Sequence, residues 1–203
     1  MAMQRRIFLA ASAAVVLLGQ RMAKAAVSAD NAMKFMEGLG ETALSSLTGA
    51  NLSTEERATR FRALLVDHFD MPGISKFALG RYWKIANEAQ QTEFRKLFED
   101  LLVQSYGKAF ARYGAEKFKV TGAHSNDDGS MLVNSTVDQP GGDLIRLDWR
   151  VEDQSGTTRI IDLLVEGVSL RTTHRSDFAS AIQSNGGTIA GLLDAVRQKV
   201  AGP

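Results

Sequence analysis

Residues 87–113 read NEAQQTEFRKLFEDLLVQSYGKAFARY. Asn87, with Gln90 three residues on, is a capping-box pair in which each side chain satisfies a backbone N–H of the other, so the spacing predicts a helix opening at Asn87 and running to Tyr113. At about 100° per residue, Phe94, Leu97, Phe98 and Leu101 share one face, while Leu102, Tyr106, Ala109, Phe110 and Tyr113 share a face rotated from it. The apolar stripe therefore spirals. A helix of this kind touches two neighbours, or one neighbour and a cavity, and periodicity alone leaves both readings open.

Upstream, everything reads as helix. Residues 28–48 carry Ala32, Phe35, Met36, Leu39, Ala43, Leu44 and Leu47 at helical spacing. Ser53 with Glu56 forms another capping box, opening a helix whose inward side holds Phe61, Leu64, Leu65, His68 and Phe69 until Pro72 breaks it. A shorter helical segment, 74–83, leads into the stretch at Asn87. From Lys117 the period falls to two, and turns at 126–129, 140–142 and 154–156 separate four strands near 117–124, 130–138, 144–152 and 158–166. Ile145, Leu147, Trp149 and Val151 alternate with Arg146, Asp148 and Arg150, and Ile161, Leu163 and Val165 alternate with Asp162 and Glu166, the pattern of an antiparallel sheet with one dry face. Two helices, near 176–183 and 188–200, close the chain. The expected class is α+β, a four-stranded antiparallel sheet covered by an N-terminal group of helices and two C-terminal ones.

Residues 1–25 are expected to stand outside this fold. Arg5 and Arg6 precede an apolar run, 7–18, and Ala23-Lys24-Ala25 offers small residues for cleavage, which together describe an export signal. The run is too short to stay as a membrane anchor. Arg5-Arg6-Ile7-Phe8-Leu9 also resembles a twin-arginine export motif, the alternative to ordinary secretion. Cleavage would take four of the 24 Lys and Arg and none of the 23 Asp and Glu, turning a net charge of +1 into 20 against 23, or −3. That balance offers nothing to nucleic acid, which needs a concentrated basic surface. Cysteine is absent, so residues 26–203, read as a single domain, must rely on their core rather than on disulfides.

The catalytic inventory is thin. His68, His124 and His174 have no metal-ligand spacing with one another or with an acid on the same face, and no phosphate-binding glycine loop, hydrolase elbow or dinucleotide fingerprint occurs. Neither a catalytic residue nor a metal ligand nor a cofactor is expected. Asp162, Glu166 and Arg175 form the one polar group of note, open to two readings: a structural ion pair at the exit from the sheet, or a head-group contact at a pocket mouth.

Two stretches carry a family resemblance. Phe77-Ala78-Leu79-Gly80-Arg81-Tyr82-Trp83-Lys84, continuing through Gln90, Phe94, Phe98, Leu102 and Tyr106, resembles the FxLGRYWR…Q…F…Y region of the MlaC, or toluene-tolerance, proteins. Ile161-Asp162-Leu163-Leu164-Val165-Glu166-Gly167-Val168-Ser169-Leu170, followed by Arg175 and Phe178, resembles that family's exit from its last long strand. The resemblance implies a periplasmic phospholipid carrier that binds acyl chains in an apolar cavity between sheet and helices. It also implies two partners, an inner-membrane ABC transporter complex and an outer-membrane lipoprotein complex, with the lipid as cargo rather than cofactor. A hopanoid or other polyprenyl-derived lipid is the alternative cargo.

With the spiral stripe and the dry sheet face, the resemblance puts Phe77, Tyr82, Trp83, Phe94, Phe98, Leu101, Leu102, Tyr106, Phe110, Leu147, Trp149, Ile161, Leu163, Val165 and Leu170 against the lipid. The competing class is a small cone-shaped isomerase or dehydratase, which needs a titratable side chain on a dry strand face. The dry faces above are apolar throughout, with Asp148 and Asp162 in the opposite register.

Overall fold

Each helix begins on a side chain that satisfies its first orphan N–H groups. The computed structural model describes residues 27–48, 51–107, 110, 117–138 and 142–202; residues 1–25, expected to be an export signal, and the 139–141 part of the second turn lie outside them. Ser28 caps α1 (Ala29–Leu47), and Ser53 and Glu56 close both halves of the capping box on α2 (Thr54–His68). Asp70 caps α3 (Met71–Leu79), accepting from the Gly73 N–H at 3.0 Å. Pro72 therefore opens a helix here as well as closing one, because in a first turn its missing N–H deprives no hydrogen bond. At Gly80, φ +59° turns the chain into a 3-10 segment, Gly80–Lys84.

Asn87 and Gln90 complete the predicted box on α4 (Glu88–Tyr106), with reciprocal bonds of 2.9 and 3.1 Å. The helix ends at Gly107 rather than continuing to Tyr113; 108–109 and 111–116 lie outside the described residues.

The sheet has five antiparallel strands in sequential order: β1 (Phe118–Ser125), β2 (Met131–Asp138), β3 (Leu144–Gln154), β4 (Thr157–Val165) and β5 (Val168–Ser169). The fifth is the addition to the four-stranded expectation. It pairs through Leu164–Ser169 and Val165–Val168, and two residues are too few to leave a periodicity. Ser169 then caps α5 (Leu170–Ser184), which starts well before the expected residue 176, and α6 (Ile189–Ala201) follows.

One bulge matters for the site. Trp149 pairs with Leu163 and Arg150 with Asp162, but Val151 pairs with Ile160, so Ile161 is the extra residue. The alternation of β4 slips there, and fully buried Ile160 rather than Ile161 joins Val133 and Val151 inside.

Two apolar cores result. One joins α3, α4, α5 and α6 around Phe94, Phe98, Phe178, Ile182 and Leu192; the other presses α1 onto the sheet through Met36, Val133, Val151 and Ile160. The approach of α1 to β1 depends on Gly40, where an added Cβ would lie 2.2 Å from the Phe118 ring. Gly40→Ala is accordingly expected to lose about 1–2 kcal/mol in urea denaturation, despite alanine's better helix propensity, because overpacking outweighs it.

Candidate ligand cavity

Between the two cores lies a cavity of about 400 Å³, within the range of small-molecule sites. From α1 come Met36, Leu39, Gly40, Ala43 and Leu44; Phe69, Met71 and Ile74 come from the turn into α3 and its first half. The sheet supplies Phe118, Val137, Ile145, Leu147, Trp149, Leu163 and Val165. Phe98, Leu102 and Tyr106 of α4, with Phe110, form a third wall, and Leu170, Arg171 and His174 of α5 a fourth.

The spiral of α4 thus divides. Phe98, Leu102 and Tyr106, spaced four apart, run along the cavity, whereas Phe94, Leu97 and Leu101 belong to the helical core. Trp149 can stand in an apolar wall because its indole N–H donates to Ser135 Oγ at 2.9 Å; the buried Ser135 hydroxyl in turn donates to the Leu147 carbonyl at 3.0 Å.

Of the expected lining residues, Phe98, Leu102, Tyr106, Phe110, Leu147, Trp149, Leu163, Val165 and Leu170 come together on this wall. Phe94 and Leu101 are in the helical core, and Ile161 is buried at the bulge. Phe77, Tyr82 and Trp83 lie off the cavity, each under an arginine guanidinium. The α1 wall was missed; its signal is an apolar face too wide for one neighbour, with Ala43 and Leu44 beside the Met36–Leu39 line.

Three lining residues carry polar groups. Asp162 lies among the lining residues rather than wholly on the opposite face, beside the bulge. Its Oδ1 accepts from the Arg171 backbone N–H at 3.2 Å, and its Oδ2 accepts from Ser169 Oγ at 2.6 Å and sits 3.3 Å from Arg171 Nε. The partner of Asp162 is therefore Arg171, not Arg175, and Glu166 turns away to accept from the Arg146 backbone N–H. Asp162→Ala should cost about 2–4 kcal/mol by leaving the half-buried Arg171 and the start of α5 without their acceptor, read as a loss in thermal or urea stability.

His174 is set among rings, 5.0 Å from Phe98, 6.0 Å from Phe178 and 6.4 Å from Tyr106 between centroids, and its Nε2 is buried without a hydrogen-bond partner. Burial holds its pKa below the ordinary 6.5; the Asp177 charge opposes this and Lys199 adds to it. Burial likewise lowers His68, and raises the Tyr106 hydroxyl. The unfolded chain thus binds protons that folded His174 resists. Its contribution is complete above about pH 6.5 and is lost as pH falls from there toward the depressed folded value. His174→Phe is expected to flatten the fall in stability between pH 7.5 and 5.5, measured by urea denaturation at each pH.

Among the described residues no cluster of three or more His, Asp or Glu side chains is placed to hold a metal, and no helix is long and apolar enough to cross a membrane.

A curled chain of helices closing one face of an antiparallel sheet over an apolar space defines a class of α+β proteins built around an internal cavity. The MlaC protein family model matches residues 39–198, and the chain belongs to that family. It is 27% identical over 133 residues to the toluene tolerance protein ttg2D of Pseudomonas putida, covering 65% of this chain and 62% of that protein. It is 24% identical over 129 residues to the intermembrane phospholipid transport system binding protein MlaC of Haemophilus influenzae, covering 62% of this chain and 59% of the relative. The matched stretch thus spans about three fifths of these curated relatives. A solved phospholipid-binding protein of Ralstonia solanacearum, in complex with a phospholipid, superposes with a TM-score of 0.76 at 24% identity, covering 84% of this chain and 97% of its own, a likeness in fold.

Proposed function

We propose that this chain is a periplasmic lipid carrier: it holds the acyl chains of a phospholipid in the cavity and shuttles the lipid between an inner-membrane ABC transporter complex and an outer-membrane lipoprotein complex. Residues 1–25 would serve as the export signal and be removed, leaving 26–203 as the carrier domain. The observation that carries the reading is the cavity itself, about 400 Å³ of space walled by apolar side chains between two packed cores. Native interiors do not leave such space empty without cost, since lost contacts and residual volume each destabilise. The Haemophilus relative, the binding protein of an intermembrane phospholipid transport system, and the Ralstonia phospholipid-binding protein support the choice of guest.

The physics of the guest supplies the mechanism. Each methylene withdrawn from water is worth about 0.8 kcal/mol, so an acyl chain of about 16 carbons contributes on the order of 12 kcal/mol and does not escape into water on a useful timescale. A bilayer offers the same chain nearly the same environment. Exchange between the two is therefore close to thermoneutral, and the barrier is the passage through water. Docking that joins the cavity to another apolar site removes that barrier, so loading and unloading require contact, not covalent chemistry.

An isomerase or dehydratase would need a free base in the cavity. Asp162 has both oxygens engaged by Ser169 and Arg171, and His174 is packed among Phe98, Phe178 and Tyr106. Asp162 is thus no free base, and His174, whose Nε2 has no hydrogen-bond partner, stands in a lining that is otherwise almost wholly apolar, which favours a carrier over proton abstraction.

Mature protein purified from the periplasm without detergent, extracted with organic solvent and analysed by mass spectrometry, is expected to yield phospholipid in stoichiometric amount. A hopanoid in its place would keep the carrier and change the cargo; protein that carries no lipid would overturn the reading.

A further inference from the structure

The stretch Phe77–Lys84, so prominent in the sequence, takes no part in the cavity, yet every cation–π contact among the described residues falls on it. Arg171 and Arg175 lie over the Phe77 ring at 4.3 and 5.1 Å, Arg81 over Tyr82 at 4.9 Å and Arg95 over Trp83 at 5.8 Å. Gly80 completes the arrangement, for a Cβ there would come within 3.1 Å of Arg175 Nε. Three aromatic rings thus hold four guanidiniums in place.

Between Asp70 and Glu88 the segment itself carries only positive charge. Residues 71–87 contain Lys76, Arg81 and Lys84 and no acid, in a chain whose Lys and Arg total 24 against 23 Asp and Glu. Among the described residues, Lys76, Arg81, Lys84 and Arg175 enter no ion pair, and Ile85 beside them is 71% exposed. Unpaired cations on exposed side chains leave charge that an anionic partner would neutralise.

We propose that Lys76, Phe77, Arg81, Lys84 and Arg175 form the docking surface for a structured protein face bearing clustered carboxylates, on a membrane complex that supplies or receives the lipid; this rests on the carrier reading above. Stacking decides between a protein and a bilayer. A guanidinium pinned on a ring presents its fork in a set direction, which suits carboxylates held in fixed positions and lowers the ordering cost of binding. A fluid anionic bilayer gains nothing from fixed geometry. Arg171 joins the surface to the site, since it stacks on Phe77 and also lines the cavity. A partner seated here would touch the cavity wall.

The test uses full mature protein and two kinds of probe: proteoliposomes holding each membrane complex, and protein-free phosphatidylglycerol vesicles. In Lys76→Glu with Arg81→Glu, both changes lie on exposed residues outside the cavity. Circular dichroism, melting temperature and lipid content per protein should match wild type. Affinity for at least one complex should fall by about tenfold or more, mainly through slower association, and the wild-type salt dependence should flatten. Undiminished binding by the double variant, or no binding of either complex by wild type, would overturn the proposal. So would wild-type binding to the protein-free vesicles that the variant loses, which would make the partner a lipid surface. A wrong carrier reading would show separately, as protein without lipid, while binding to the complexes is still scored.

Discussion

Ala43→Trp should purify without lipid and yet, compared with lipid-free wild-type protein, unfold at a higher urea concentration. Ala43 lines the cavity from α1, with empty space in front of it. An indole there takes room now open to a guest. If it displaces about four methylenes, the lost burial is about 3 kcal/mol, on the order of a hundredfold in affinity. The same ring fills a void in the empty protein and should raise its stability by about 1 kcal/mol. The opposite signs make the result diagnostic. A site that is merely a poorly packed core would gain stability and lose nothing.

Phe98→Ala should have the largest effect on stability, a loss of about 3–5 kcal/mol. Phe98 has no solvent exposure and touches Phe94, Phe178 and His174 with ring centroids 5.8, 5.0 and 5.0 Å away. It is both a member of the helical core and part of the cavity wall. Truncating it removes an aromatic anchor and enlarges the cavity at once. Urea denaturation of the delipidated variant reads the full loss. Lipid bound only to the folded state stabilises both proteins by mass action, so the gap between loaded and delipidated protein should narrow in Phe98→Ala to the extent that the lost ring weakens binding.

The elements were legible where local chemistry is self-contained. Capping boxes at Ser53–Glu56 and Asn87–Gln90 mark helix starts because both partners lie within four residues. The period of two in β3 follows from one dry face. What escaped was non-local or too short: β5 is a two-residue strand, Ser169 as a helix cap is visible only once β5 is, and the bulge at Ile161 arises from pairing with β3. The bulge also shifts the alternation at the site, since strict alternation assigns Ile161 inward and Asp162 outward. A spiral stripe does not say which arc meets which neighbour, so periodicity alone leaves Phe94 and Leu101 facing either the core or the cavity. Phe77, Tyr82 and Trp83 read as apolar lining because their role, seating guanidiniums from α4 and α5 as well as their own segment, depends on residues far away in the chain.

The measurement that bears most directly on the carrier reading is native mass spectrometry of delipidated mature protein before and after incubation with phospholipid in mixed detergent micelles, which deliver the lipid without a docking partner. The expected result is a shift of the whole population by the mass of bound phospholipid, absent in Ala43→Trp. A wild-type protein that stays at its bare mass, its cavity unfilled in the presence of phospholipid, would contradict it.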